Sequence, residues 1–248
     1  MKICVASDSW AWAWGVDLKS QTLQDATAFN PIYSHEGSPY PQLQLILEMA
    51  GHEMIYAGAP AIGNSEIVEL LREASHNHDF DVVWYFFTHP HRDSGEEIGP
   101  VDAKVFAEVC GKNRLHALQD LNILANDLQV PVLLMGGAGK VTLADYRKTC
   151  HSEYLHLVTP SLIEHFTDHL QDDYMLASWW QFIEAGQVQC LQFANDIIYR
   201  DDLIRNHYYR GFLWPCGAHP GITGQTLVAD LCFKYMEDNG LLTNATRV

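Results

Sequence analysis

Basic residues are scarce in this sequence. Fifteen Lys and Arg stand against 31 Asp and Glu, for a formal charge of −16 over 248 residues, and the cations cluster nowhere. Nucleic acid and anionic membrane surfaces both attract positive charge, so this balance argues against either as a partner. No apolar run approaches the roughly 20 residues that a bilayer-crossing helix needs. A secretory signal is not evident either, because the first apolar run is short and is interrupted by Asp8. Cys-x-x-Cys pairs are also missing. The six cysteines (Cys4, Cys110, Cys150, Cys190, Cys216 and Cys232) are scattered, which points to reduced thiols packed in a core. A cytoplasmic protein, of bacterial or phage origin, is the expectation. Low-complexity segments, internal repeats and linkers are absent, and 48% of the residues are hydrophobic. One large α/β domain over 1–248 is the simplest reading, with an insertion around 140–213.

What is present alternates between strand and helix signals. Lys2 to Ala6 reads as a buried strand that runs into the polar turn Ser7-Asp8-Ser9. Gly15 to Tyr40, rich in Ser, Asn, Pro and aromatics, reads as a long loop or partly helical segment. Pro41 opens a helical pattern that stops at Gly51. Glu53 to Tyr56 is a second strand, followed by a small-residue loop from Gly58 to Ser65. A helix over Glu66–Ala74 comes next, with Asn64 or Ser65 as its cap. Asp81 to Phe87 is a continuous apolar and aromatic run typical of a central parallel strand. A helix over Val101–Leu128, broken near Gly111, leads to a fourth strand over Val130–Met135. A fifth strand is expected at Tyr154–Val158, then helices at Asp173–Gly186 and Thr223–Met236. Five such alternations predict a parallel sheet with helices on both faces.

Ligand crevices of open α/β sheets lie along the carboxyl ends of the strands. Ser9 follows the first strand, Gly63 the second, and Thr88-His89-Pro90-His91-Arg92-Asp93 the third. His219 stands just before the last helix. Acyl transfer needs a hydroxyl, a base within hydrogen-bond reach, and amide donors aimed at the developing oxyanion. Ser9, His219 and the backbone amides of Ser9 and Gly63 are candidates for that set. Trp10, Trp12 and Trp14 alternate beyond Ser9 and would suit an apolar or sugar-binding wall, or equally packing against the loop that follows.

Three blocks, in this order, resemble the SGNH (GDSL-type) hydrolase superfamily: Ser7-Asp8-Ser9, Gly63-Asn64-Ser65 and Cys216-Gly217-Ala218-His219-Pro220. The resemblance implies a three-layer α/β/α sandwich of flavodoxin-like topology, with about five parallel strands. It also implies cleavage of an ester or O-acyl group on a carbohydrate, a lipid or a small molecule, without a cofactor. Ser9 would be the nucleophile and His219 the general base. Gly63 would donate to the oxyanion, with Asn64, Thr88 or His89 as a third donor, and Trp10, Trp12 and Cys216 would line the substrate. Two departures from the family pattern stand out. The Gly-x-Asn block after the third strand is replaced by Thr88-His89, and Cys216 occupies the place of the Asp that orients the His. A neutral thiol cannot stabilise an imidazolium as a carboxylate does. Either the site works as a Ser9–His219 dyad, or another acid or a backbone carbonyl orients His219, or the chain is a weak or inactive relative kept for binding.

A rival reading is metal chemistry. Thr88-His89-Pro90-His91-Arg92-Asp93 resembles the Thr-His-x-His-x-Asp-His signature of metallo-β-lactamase-fold hydrolases, with His89, His91 and Asp93 as zinc ligands, although Ser94 stands in place of the final His. His165 and His169 are four apart, the spacing of a shared helix face, and His76-Asn77-His78 lies in polar sequence; solvated or packed histidines explain both. Gly136 to Lys140 resembles a phosphate loop but lacks its spacing and the hydroxyl residue after Lys. Oligomeric state and substrate identity have no sequence signal.

Overall fold

A computed structural model describes residues 1–8, 42–59, 62–94, 103–137, 139–162, 164–165 and 222–241. The strands are β1 (Lys2–Ser7), β2 (Glu53–Gly58), β3 (Val82–Phe87), β4 (Val132–Gly136) and β5 (Leu155–Thr159). The helices are α1 (Gln42–Met49), α2 (Asn64–Asn77), α3 (Ala103–Leu128), α4 (Leu143–Thr149) and α5 (Ile222–Asp238), and a short 3-10 turn covers Pro90–Ser94. All strand pairs are parallel and the order is β2-β1-β3-β4-β5. This is the doubly wound, flavodoxin-like order, in which the chain reverses direction across the sheet next to β1.

The period-two alternation of the strands sends side chains into two cores. Ile3, Val5, Val82, Trp84, Phe86, Leu133 and Met135 pack on one face against Leu43 and Leu47 of α1 and Val228, Cys232 and Met236 of α5. Cys4, Ala6, Val83, Tyr85, Phe87, Val132 and Leu134 pack on the other against Ile67 and Leu71 of α2 and Leu118, Leu121 and Leu124 of α3. Every residue of β3 is buried, as a central strand covered on both faces must be.

Three expectations are corrected. The helix expected to break near Gly111 runs unbroken from Ala103 to Leu128. A helical glycine costs about 1 kcal/mol relative to alanine, and the buried stripe of Ala117, Leu118, Leu121, Leu124 and Ala125 outweighs it. Helix α4 was not anticipated, although Thr142 supplies its cap: the Asp145 N–H donates to Thr142 Oγ1 at 3.0 Å. Neither Asn64 nor Ser65 caps α2; Gly63 occupies that position. Of the insertion expected around 140–213, the part up to Thr159 holds α4 and β5, and β5 extends the sheet beyond β4. The rest, like the loop over Gly15–Tyr40 and the helix over Asp173–Gly186, lies outside the described residues. Among the described residues no helix is long and apolar enough to cross a membrane.

Burial leaves a titration signature. The Cys4 thiol is pushed up to about 12 by desolvation, and Cys110 to about 11 for the same reason, against the pull of Arg114. The unfolded chain ionises these thiols near 9.0, so above that pH it holds fewer protons than the native state. Stability therefore falls as pH rises from about 9, by about 1.4 kcal/mol per pH unit for Cys4 up to about 12, with Cys110 adding to the slope only up to about 11. Urea denaturation midpoints across that range should show a limb that Cys4→Ala flattens by one proton. An unchanged slope in the variant would mean that Cys4 ionises in the folded protein.

Candidate functional site

The carboxyl ends of β1 and β3 are adjacent, and the polar residues there bond to one another. Asp8 leaves β1 with its side chain 1% exposed. Its Oδ2 accepts from the Thr88 hydroxyl at 2.7 Å and from Arg92 Nη1 at 2.5 Å. The Tyr56 hydroxyl donates to the Asp8 carbonyl at 2.9 Å and lies 3.1 Å from the Ser7 carbonyl. Burial, and secondarily the negative charge of Asp8, raise the Tyr56 phenol well above its ordinary value, so it remains a protonated donor.

Asn64 is buried at the first turn of α2 and makes the second set of contacts. Its Oδ1 accepts from the Thr88 N–H at 2.9 Å, and its Nδ2 donates to the Thr88 carbonyl at 3.0 Å. The side-chain amide thereby mimics a peptide of a neighbouring strand and extends the ladder one residue past the end of β3. The other Nδ2 hydrogen goes to Asp93 Oδ2 at 3.1 Å. The Tyr85 hydroxyl donates to the Asn64 carbonyl at 3.1 Å. Asn64→Ala would leave both backbone groups of Thr88 buried without these partners, at about 1–3 kcal/mol for such a group. A loss of about 2–3 kcal/mol, read as a lower urea midpoint at constant m-value, is the expected result; a loss below about 0.5 kcal/mol would show that the clamp is dispensable.

The start of α2 is capped from a distance. Gly63 has no side chain, and a Cβ there would lie 2.5 Å from Asp93 Oδ1. That oxygen occupies the space and accepts the Ser65 N–H at 2.8 Å, the task an N-cap side chain performs. A carboxylate at this position also suits the positive end of the helix dipole. The exposed Glu66 side chain reaches back so that the Gly63 N–H donates to its Oε2 at 3.0 Å. A second close approach holds the β4 exit against β3: a Cβ on Gly139 would lie 2.3 Å from the Thr88 carbonyl oxygen.

Gly63, Asn64 and Thr88 are thus brought together, but their donors are committed. The amide of Asn64 and both the N–H and hydroxyl of Thr88 are spent within the frame, so in this arrangement neither presents a hydrogen to a substrate oxygen. The Gly63 N–H faces Glu66. His89 is half-buried, and its carbonyl accepts the Arg92 N–H at 3.1 Å. Ser9, Trp10, Trp12, Cys216 and His219 lie outside the described residues. Asp93 turns both carboxylate oxygens towards α2. Among the described residues no three His, Cys, Asp or Glu side chains converge as a metal site would require; the His91 side chain is outside them. Helix capping accounts for the Asp of the zinc-like motif.

Asp8, Arg92, Asp93, Tyr56 and Glu66 are the members that sequence reasoning did not assign to these roles. Only Glu66 carries a local signal, standing three residues after the cap as capping-box glutamates do. The Asp8–Arg92 pair joins residues 84 apart, which no short motif reveals.

No family model matches the chain, and no curated protein matches it. Among solved structures the chain is similar to TesA, at 13% identity and a TM-score of 0.44, covering 98% of this chain and 100% of that one. It is also similar to the lipase/acylhydrolase from Enterococcus faecalis, at 13% identity and a TM-score of 0.39, covering 96% of each. Likeness at this level carries no chemical assignment, so the chemistry rests on the residues themselves.

Proposed function

We propose that the chain is an SGNH-type serine hydrolase that cleaves an ester or O-acyl group on a small molecule, glycan or lipid. The supporting observation is the frame around Asp8. It anchors the exit of β1 at the β1/β3 switch point, where doubly wound sheets bind ligands, one peptide before Ser9. In this reading Ser9 Oγ attacks the substrate carbonyl carbon while His219 takes its proton. The tetrahedral oxyanion collapses, the C–O bond to the alcohol breaks, and His219 protonates the departing oxygen. Water, activated by the same His219, then releases the acid and restores Ser9. Gly63 joins the oxyanion hole once the Glu66 side chain swings away, which its exposure permits. No cofactor takes part.

One observation favours a second reading, a catalytically weak or inactive member kept for binding: the donors of Asn64 and Thr88 are spent within the frame. A fluorophosphonate probe separates the two, because it phosphonylates an activated serine and ignores an inert one. Stoichiometric labelling located at Ser9 by peptide mass spectrometry, and absent from His219→Ala, is the expected result. No labelling of the folded wild type would favour the binding protein.

A further inference from the structure

We propose that Thr88 and Arg92 are positioning residues for Ser9, acting through Asp8; the proposal rests on the serine-hydrolase reading. One buried carboxylate oxygen, Asp8 Oδ2, receives the Thr88 hydroxyl and Arg92 Nη1 together. The carbonyl of the same residue receives the Tyr56 hydroxyl. The end of β2, the exit of β3 and the 3-10 turn therefore converge on one residue, and the next peptide carries Ser9. A buried ion pair of this kind is seldom worth more stability than apolar side chains of the same volume. What it does supply is direction: a guanidinium and a hydroxyl on one oxygen fix the carboxylate, and with the carbonyl also held, the Asp8 backbone cannot rotate freely. The Asn donor of the family's third block is missing from this chain, and Thr88 cannot replace it, since its N–H and hydroxyl are both engaged. The segment after β3 thus turns inward to the residue behind the nucleophile instead of outward to substrate. Displacement of a reacting group by about 1 Å costs about a hundredfold in rate, so loosening this frame has a kinetic consequence distinct from its structural one.

The test is the saturation kinetics of fluorophosphonate labelling, which separates the maximal rate kinact from the apparent affinity KI. Thr88→Val removes the hydroxyl at nearly constant shape, Thr88→Ser retains it, and Arg92→Lys retains the charge without the planar fork. All are measured well below their own melting temperatures. Thr88→Val should lower kinact by about tenfold to a hundredfold while KI moves by less than about twofold. Thr88→Ser should restore the wild-type kinact, and Arg92→Lys should fall between. A purely structural role would lower the melting temperature and leave the kinact of folded protein unchanged; that outcome in both Thr88→Val and Arg92→Lys overturns the proposal. Should Thr88→Val not fold, Arg92→Lys alone decides. Absence of Ser9 labelling in the wild type overturns the hydrolase reading itself, and the positioning role with it.

Discussion

Hydrolysis of p-nitrophenyl butyrate should fall by about three orders of magnitude or more in Ser9→Ala, and by a similar factor in His219→Ala. The magnitude follows from how a nucleophile and its base act. Without the base the hydroxyl is a weak nucleophile, and without the hydroxyl the base has nothing to activate, so removing either removes the acyl-enzyme route. In a serine protease either single loss costs about as much as removing the whole triad, about a millionfold in kcat. The expectation here is smaller because in the sequence Cys216 takes the place of the Asp in the family pattern that Ser9 and His219 resemble, and the loss of that carboxylate costs about ten-thousand-fold in a serine protease. A lower starting rate leaves less to lose. The Ser9→Ala/His219→Ala double variant should be no worse than either single one, since in the proposed mechanism both belong to one unit. EDTA should leave the wild type unchanged. Equal turnover by all the proteins would mean that Ser9 is only a turn residue, and loss of activity with chelator would revive the zinc reading.

Arg92→Met is expected to destabilise the fold by about 3–5 kcal/mol, the range for removing one partner of a buried charged pair. The Asp8 side chain is 1% exposed and that of Arg92 27% exposed. Methionine fills much of the volume of the arginine stem, so little of the loss comes from packing. The dominant cost is a carboxylate kept out of water after its guanidinium partner is removed, while the Thr88 hydroxyl still donates to it. Asp8→Asn in the same background removes the charge and should recover about 1–2 kcal/mol, a coupling measurable as a double-mutant cycle in urea denaturation. If Arg92→Met costs less than about 1 kcal/mol, the pair behaves as a solvated surface contact, and the frame around Asp8 has been overestimated.

The hydrophobic pattern made the sheet legible. Lys2 to Ser7, Val82 to Phe87 and Val132 to Gly136 lie within two residues of expectation because a strand covered on both faces must be apolar at every position. Helix α4 escaped notice because its seven residues carry only a short polar pattern and bury mainly Thr149. Gly111 misled because a glycine weakens a helix without ending one that is packed on both sides of it. At the site, the resemblance drew attention to Gly63, Asn64 and Thr88, and these do meet. Their hydrogen-bond partners were not legible, since Asp8 with Arg92, Asn64 with Thr88 and Ser65 with Asp93 are joined only by the sheet's crossovers. Asp93 shows the difficulty most plainly: in sequence it ends a metal-like motif, and in space it completes a helix 28 residues earlier in the chain.

The placement of β1 between β2 and β3 also bears on how the chain is made. Ala6 pairs with Ala57 on one side and with Tyr85 on the other, so this strand leaves the ribosome long before either neighbour. At about 5–20 residues per second, roughly 4–16 s of synthesis separate Ala6 from Tyr85. Five residues that end fully buried, Ile3 to Ser7, have both ladder edges open until β2 is made, and the edge that β3 will cover stays open through the whole interval. Such non-local parallel pairing folds slowly and leaves a strand available to other chains. Until β3 emerges, the segment leading to the proposed nucleophile thus offers an open strand edge for aggregation or chaperone capture.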